Sequence, residues 1–450
     1  MVAHARTLTA RTAGPVDLYG LQLTTSTTAA EQYNAGLRHL LAVRRGGVEA
    51  VAASVAIDPT FALGHATLAL MGHELGANVN LPARVASALR HARRSTERER
   101  SHVHAVVAHL HGDSAPLITH LESYPRDALL LSVAVPTIAF SGVTHVPAQA
   151  WAIVERAAPS YGDDWWFSGL LGFVRQEQGR FDEAMTLAVR SLAENAGAGH
   201  SVHTRAHVHY ETGDHDAGLA WITDWIGTSG PDADNLAHFS WHAALHELAN
   251  DDLAAVRRRF ENELAPPHVT GCRALVDSAS LLWRWSLTPG AESIPDAATV
   301  LAQVEACDLD EPDTPFLAMH AALGLCAAGE VDRLGALRRR CADHHDQTMR
   351  DVAASLCDAL LAMQRSSYGA AADRLGAMAA DTWRLGGSDA QREVIEDTRI
   401  AALISAHRNR EAAAMLDARL DRRHARRDQL WRGALTDERG FTSGDPQNTP

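Results

Sequence analysis

Apolar residues recur at spacings of three and four along nearly the whole chain, and Gly, Pro or Asp-Pro steps separate the apolar stretches. Because such spacing places side chains on one face of an α-helix, the chain is predicted to consist of amphipathic helices. Alternating patterns typical of strands are nearly missing. A comparison of the sequence with itself finds a repeat of roughly 34 residues. These features predict an all-α protein whose helix pairs stack as an α-solenoid.

The clearest repeat covers residues 167–195, and the next covers residues 200–226. In the second copy Gly213 is predicted in the turn between two helices and Gly218 at a position that needs a small residue. Weaker copies lie at 58–76, 238–264, 316–341 and 352–378. We therefore expect one solenoid domain over residues 19–433, curled into a compact superhelix, with an N-terminal extension at 1–18 and a disordered tail at 434–450.

The charge balance excludes several classes of function. The net charge is −14, which disfavours binding to a nucleic-acid backbone. All 41 basic residues are arginine, which removes Schiff-base chemistry and the lysine of phosphate-binding loops. Acid/base chemistry near neutral pH would therefore depend on His, Asp and Glu, and the chain has 25 histidines.

No targeting or membrane-spanning pattern is present in the sequence. No apolar run reaches the length of about 18 residues that a membrane helix needs, and the N-terminus lacks the apolar segment of a secretory signal. We expect a cytoplasmic protein without membrane partners. The cysteines show no CxxC spacing and are expected to be buried small hydrophobes: Cys272, Cys307, Cys326, Cys341 and Cys357.

Seven segments follow one another along the chain: EQYNAGLRHLL (31–41), AIDPTFALGHATLAL (56–70), RQEQGRFDEAMTLA (175–188), HTRAHVHYETGDHDAGLAW (203–221), HFSWHAALHEL (238–248), VDSASLLWRW (276–285) and GGSDAQREV (386–394). In this order and at these separations they resemble the tetratricopeptide repeat protein 38 family. The resemblance spans about residues 19–420, and its more specific parts are the histidine-containing helices, DxxSLLWR and GGSxAQR. It implies a compact α-solenoid and leaves the activity open.

The segment HTRAHVHYETGDHDAGLAW has the most concentrated polar pattern. With Gly213 in the turn, the groove-facing positions of a tetratricopeptide-like helix fall on His203, His207, Tyr210 and Glu211. Residues four apart lie on one helical face, so His203, His207 and Glu211 form one stripe. His209 falls at a packing position. A buried polar stripe that only hydrogen-bonds the next repeat is the alternative.

The next helix repeats this spacing with His238 and His242, and Trp241 and His246 lie beside them. Two HxxxH pairs could converge on one divalent metal, although neither HELGA (73–77) nor HELAN (246–250) completes the HExxH metalloprotease pattern. A histidine general base oriented by Glu211 or Asp277 is a comparable alternative.

Two further segments supply charged candidates. Asp277 lies in an otherwise apolar helix, so it needs an arginine such as Arg284 or a ligand. In LGGSDAQREV, Ser388 and Gln391 are expected to form a helix-capping box. Arg392 has no role in that box, and with Arg284 it could form a carboxylate-binding wall. The histidines of SHVHAVVAHLHGD are expected to be exposed or partly exposed: His102, His104, His109 and His111.

The leading hypothesis is a helical-repeat protein that binds a small or extended acidic ligand, which includes a peptide, in a concave pocket. The pocket residues would be His203, Tyr210, His238, Trp241, Arg284, Gln391 and Arg392. The first alternative is a hydrolase or lyase with His207 or His242 as general base, assisted by Glu211 and Asp277. The second is a protein-interaction scaffold, with homo-oligomer assembly as a further use. No cofactor is expected, and a divalent metal at His203, His207, His238 and His242 is the weaker alternative.

Overall fold

The structure, a computed structural model, describes residues 14–143 and 147–437. These residues contain no β-strand, and an isolated bridge joins Val16 with Gln22. No helix in these ranges is long and apolar enough to cross a membrane. The α-helices are α1 Thr27–Leu41, α2 Gly47–Ile57, α3 Ala62–Glu74, α4 Leu81–Ala92, α5 Glu97–Leu110, α6 Ala115–Ser123, α7 Ala128–Ala134, α8 Pro147–Tyr161, α9 Trp165–Glu177, α10 Phe181–Glu194, α11 Gly199–Glu211, α12 His215–Thr228, α13 Leu236–Ala249, α14 Leu253–Arg259, α15 Gly271–Arg273, α16 Ser280–Leu287, α17 Ala297–Leu301, α18 Ala306–Asp310, α19 Pro315–Ala327, α20 Val331–Ala342, α21 Ala354–Gln364, α22 Tyr368–Met378, α23 Asp389–Ser405, α24 Asn409–Arg422 and α25 Arg426–Asp437.

Four shorter segments have a different helical pitch. Residues Phe260–Leu264, Ala274–Ala279 and Met349–Ala353 form π-helical turns, and Ala379–Leu385 forms a 3-10 helix. A π-helical turn widens the helix locally and rotates the side chains that follow it, and such turns are common at functional sites. The turn at Ala274–Ala279 contains Asp277, so the sequence position of this carboxylate does not by itself tell where it points.

The helices pack with their neighbours in the chain. Contacts join α1 with α2, α3 with α4, α5 with α6, α12 with α13 and α21 with α22. These neighbouring pairs confirm the predicted all-α, solenoid-like fold class. Gly213 has a φ of +74° between α11 and α12, as predicted for a turn residue. A Cβ on Gly218 would lie 2.6 Å from Cε1 of His246, which explains the need for a small residue there.

The contacts divide the chain into two compact units. The first contains the residues up to Leu171 together with Ala198–His200, and the second contains Gly172–Gly197 and the residues from Ser201 onward. The single domain at 19–433 stays a prediction. Helix α25 continues to Asp437, four residues beyond the predicted boundary at 433. The remainder of the predicted tail, residues 438–450, and residues 1–13 of the predicted extension lie outside the described residues.

An apolar core in the second unit is built around Trp241, Trp283 and Trp285. The last two were expected in the core, and both are buried. Cys326, Cys341 and Cys357 are also buried, as predicted. Cys272 and Cys307 are exposed, so the prediction was wrong for these two. Their positions at helix starts outside the apolar stripes explain the difference.

Buried ion pairs join the last three helices. Asp397 of α23 is fully buried and accepts hydrogen bonds from Arg419 at 2.7 Å and from Arg427 at 3.0 Å. Arg284 of α16 reaches the same carboxylate at 3.4 Å. Burial alone would raise the pKa of Asp397, but the surrounding arginines lower it below its usual range. The carboxylate is therefore ionised, and it fixes α16, α24 and α25 to α23.

Candidate functional site

Helices α11 and α13 bring four histidines together in the second unit. His203 and His207 lie one turn apart on α11, and His238 and His242 lie one turn apart on α13. The ring centroids of His203 and His207 are 4.5 Å apart, and those of His207 and His242 are 4.6 Å apart. All four rings are buried. The rings of the two HxxxH pairs therefore lie against one another, and we call these four residues the histidine cluster.

Ring nitrogens in the cluster face one another at hydrogen-bond distances. Nε2 of His203 lies 3.0 Å from Nε2 of His207 and 3.2 Å from Nε2 of His238. A neutral imidazole has one N–H donor and one acceptor nitrogen, so Nε2 of His203 cannot donate to both. The donor nitrogens of His203, His238 and His242 all lie within 4.8 Å of one another. Three imidazole nitrogens at this spacing can reach one metal ion, because tetrahedral zinc ligands with bonds of about 2.0 Å are about 3.3 Å apart.

Two cluster nitrogens have no partner. Nδ1 of His207 and Nε2 of His242 are buried without a hydrogen bond to any described residue. Most buried polar atoms in proteins are paired with protein or water, so each exception requires an explanation. Burial lowers the pKa of His207 to about 3 and holds the pKa of His242 well below its usual range, with neighbouring histidines adding to both effects. Both rings are neutral at pH 7, and each keeps a lone pair that could bind a metal.

Asp277 orients one ring of the cluster. Its Oδ1 accepts a hydrogen bond of 2.8 Å from Nδ1 of His238, and the carboxylate is fully buried. Burial acts to raise the pKa of Asp277, but the charge and hydrogen bond of His238 outweigh it, and the pKa is lowered. In the neutral form of His238 with its proton on Nδ1, Nε2 presents its lone pair to the cluster. This carboxylate–histidine arrangement is the one that orients metal-binding histidines.

Trp241 and Phe173 cover faces of the cluster. The indole of Trp241 stacks on the His238 ring with centroids 5.3 Å apart and an angle of 13°. The Phe173 ring stacks on His203 at 5.3 Å and contacts His207 edge-on at 6.1 Å. The predicted Trp241 thus lies at the site. Phe173 was not predicted, because nothing in the sequence of α9 tells which of its apolar residues meets α11.

The end of α11 belongs to a different network. The hydroxyl of Tyr210 donates to Glu393 at 2.6 Å, and Arg423 donates to Glu211 at 3.2 Å. Burial raises the pKa of Glu211 to about 7. Glu211 thus continues the predicted stripe of His203 and His207 along the helix, but its partner is an arginine of the C-terminal segment. It does not orient a cluster histidine.

The two neighbouring histidines are buried outside the cluster. His209 lies at a packing position, as predicted, with Nδ1 3.2 Å from the Asp214 carboxylate. His246, one turn after His242, contacts His215, and their Nδ1 atoms lie 3.1 Å apart. These pairs fill the interior of α11–α13 with further polar groups.

The arginines of the predicted carboxylate wall are occupied by the protein itself. Arg284 is buried and donates to the carbonyl oxygens of Ala390 and Gln391 in addition to Asp397. Arg392 donates to the carbonyl oxygens of Gly386 and Gly387 and to the Asp389 carboxylate. Arg284 is also not the partner predicted for Asp277, whose carboxylate pairs with His238. The capping box of Ser388 and Gln391 is confirmed.

Two titratable residues near the cluster were not predicted. His320 of α19 is fully buried, and neither ring nitrogen has a hydrogen-bond partner among the described residues. Burial lowers its pKa to about 3, against the opposing charge of Asp277. Glu177 lies one turn after Phe173, and burial raises its pKa to about 8. A lone histidine in the apolar stretch FLAMHAAL was the only signal for His320.

A second buried group of histidines, in the first unit, has a structural explanation. Oδ2 of Asp127 accepts hydrogen bonds from His102 at 2.8 Å, His120 at 3.1 Å and Arg98 at 3.3 Å. The guanidinium on the same oxygen disfavours a metal cation there. His102 was expected to be exposed or partly exposed and is buried, because it faces the start of α7, whose N-cap is Asp127.

The other histidines of SHVHAVVAHLHGD are placed as predicted: His104 and His111 are exposed, and His109 is partly exposed.

Comparison of the chain with models of known protein families found no match. The candidate site therefore rests on the geometry of the histidine cluster and Asp277.

Proposed function

We propose that the histidine cluster binds one divalent transition-metal ion, with His203, His238 and His242 as ligands. The convergence of their three donor nitrogens within 4.8 Å carries this proposal. The buried and unpaired Nε2 of His242 supports it, because a metal bond would satisfy that atom. Burial keeps His242 neutral at pH 7, and a neutral ring is the form that binds metals.

The donor set favours a particular class of metal. Imidazole nitrogens suit zinc, copper, nickel and iron, whereas calcium and magnesium prefer oxygen ligands. Asp277 lies outside the three ligands and would fix the tautomer and orientation of His238. We therefore propose an ion of the zinc class. The divalent metal, which was the weaker alternative from the sequence, is thereby the leading proposal.

A hydrolytic activity is the second candidate, and the number of ligands favours it. Zinc sites with three protein ligands generally keep a water molecule at the fourth position, and such a water is a nucleophile near neutral pH. His207, with Nε2 3.0 Å from Nε2 of His203, would accept a hydrogen bond from that water and orient it. Its pKa of about 3 makes the ring too weak a base to keep the proton at pH 7, so the general-base role predicted for His207 is not part of this proposal. The charge of Arg392 acts on His207, but its ion pair with Asp389 leaves little charge to attract an acidic substrate or ligand.

Metal loading of the purified protein tests the proposal. After treatment with a chelator, the wild type is dialysed against Co²⁺ or Zn²⁺, and bound metal is measured by mass spectrometry. His242→Asn removes a ligand, and His209→Asn removes a buried histidine of α11 outside the cluster as a matched control. We expect the wild type and the control to bind one molar equivalent of metal that His242→Asn does not bind. Circular dichroism shows whether all three proteins are folded.

The absorption of bound Co²⁺ adds a second measurement. A tetrahedral cobalt site absorbs strongly between about 500 and 700 nm, whereas cobalt with mostly water ligands does not. A wild type without this band, or a folded His242→Asn with an unchanged band, would overturn the proposed ligand set. Hydrolysis of a panel of simple carboxylic and phosphoric esters by the metal-loaded protein then tests the second candidate, with His207→Gln as the variant expected to bind metal and lose activity.

The repeat identity is a further proposal. We infer that the helix pairs are tetratricopeptide-like and that the chain is related to the tetratricopeptide repeat protein 38 family. The left-handed turn at Gly213 and the close approach at Gly218 support this interpretation. An interaction scaffold would bind its partner on exposed surfaces of these helix pairs instead of using a buried metal. A wild type that shows no tetrahedral absorption band after loading with Co²⁺ would therefore favour that role.

A further inference from the structure

The ends of two packed helices in the first unit place two histidines around a carboxylate. His73 and Glu74 are the last two residues of α3, and His109 lies in the last turn of α5. Helices α3 and α5 pack together. Nε2 of His109 lies 2.7 Å from Oε1 of Glu74, and Nε2 of His73 lies 3.9 Å from the same oxygen. The three donor atoms all lie within 4.8 Å of one another.

The hydrogen bonding of His109 prepares its ring for a metal. Nδ1 lies 2.8 Å from the hydroxyl oxygen of Ser114. When Nδ1 donates to Ser114, Nε2 presents a lone pair toward Glu74 and His73. A partner on the second ring nitrogen is the usual way in which proteins fix a metal-binding tautomer. Without a metal, a proton shared between His109 and Glu74 would occupy the same position.

The site differs in two ways from the buried group at Asp127. Glu74 forms no ion pair with an arginine among the described residues, whereas Arg98 forms an ion pair with Asp127. It is also open to solvent, because the side chain of His73 is 44% exposed and those of Glu74 and His109 are each 10% exposed. An ion could therefore enter without opening the fold and could keep several water ligands.

We propose that His73, Glu74 and His109 form a second, solvent-accessible site for a divalent first-row transition metal. Two imidazoles and one carboxylate suit zinc, cobalt, nickel and iron(II), and three ligands leave positions open for water or an external anion. Because the ligands lie in the first unit, this proposal does not depend on the histidine cluster. Exchange of the ion with solution is expected to be fast and its affinity lower than that of the buried centre.

Counting metal equivalents tests the second site. The double variant His73→Asn with His109→Asn removes both imidazoles, and the control His104→Asn with His111→Asn removes two exposed histidines of the same region. Calorimetric titration of the chelator-treated proteins with Co²⁺ is expected to show one fewer equivalent in the double variant than in the wild type and the control. An equal number of equivalents in all three proteins would overturn the proposal.

The result is readable whether or not the histidine cluster binds metal. If it does, the wild type binds two equivalents and the double variant keeps the one with the strong tetrahedral band. If it does not, the wild type binds one equivalent and the double variant binds none. Ser114→Ala should leave the number of equivalents unchanged and weaken the affinity of the exposed site about 10-fold or more, because it removes only the partner of Nδ1. An unchanged affinity would contradict the orienting role of Ser114.

Discussion

The buried His320 should make the free energy of unfolding of the protein fall in acid, and the lowered pKa of its ring gives the size of that loss. Its pKa is about 3 in the folded protein, because burial disfavours the charged ring, and about 6.5 in an unfolded chain. Below pH 6.5 the unfolded state therefore binds a proton that the folded state does not. The free energy of unfolding is therefore highest well above pH 6.5 and falls as the pH is lowered through 6.5 toward 3.

Each pH unit in this window costs about 1.4 kcal/mol per histidine. Between pH 6.5 and pH 4.5, His320 should therefore remove about 2 kcal/mol of unfolding free energy. The substitution His320→Gln abolishes the titration and should reduce the acid loss of stability by this amount. Any change in packing caused by the substitution is present at both pH values, so it cancels in the comparison.

The assay is urea unfolding at pH 6.5 and pH 4.5 in the presence of a chelator, followed by circular dichroism. His104→Gln removes an exposed histidine and serves as the matched control. The wild type and His104→Gln should lose more stability on acidification than His320→Gln does. Equal losses in His320→Gln and the wild type would refute the argument, because they would mean that the ring is already accessible to protons in the folded state.

For three further substitutions the structure predicts whether stability or metal affinity rises or falls. Asp397→Ala leaves buried arginines unpaired and should lower the unfolding free energy by about 3–5 kcal/mol, whereas Asp417→Ala, at an exposed ion pair, should cost at most about 1 kcal/mol in the same urea experiment. Gly218→Ala forces a methyl group against His246 and should cost about 1–3 kcal/mol, while Gly227→Ala in the same helix meets open space and should stabilise by up to about 1 kcal/mol; equal melting shifts would contradict this contrast. Asp277→Asn should weaken Co²⁺ binding by the cluster about 10- to 100-fold with the equivalents unchanged, and an unaltered affinity would exclude an orienting role.

The buried site has a consequence for how pH and metal act together. Burial holds the proposed ligand His242 neutral, so protons compete weakly with a metal for its nitrogen above the pH at which the protein unfolds. Metal that binds only the folded state adds to its stability. We therefore expect the loaded protein to unfold at a lower pH than the metal-free protein.

Much of the local structure could be predicted from the sequence, because neighbouring residues decide it. The three and four residue spacing identifies the helices, and HxxxH places each histidine pair on one helical face. Gly213 marks the turn after α11 because its φ of +74° is unfavourable for other residues. The capping box of Ser388 and Gln391 is likewise complete within four residues.

The partners across the interior were decided only by tertiary structure. The bond from His238 to Asp277 spans 39 positions, and the bond from Tyr210 to Glu393 spans 183. Asp277 lies in the π-helical turn before α16 and pairs with His238, whereas Arg284 pairs with Asp397. Periodicity in a sequence reports which face of a helix is buried, but it carries no information on which distant helix covers that face. For this reason the sequence identified the histidine pairs and offered Glu211 and Asp277 as candidate carboxylates. The choice of Asp277, the covering Phe173 and the nearby His320 came only from the structure.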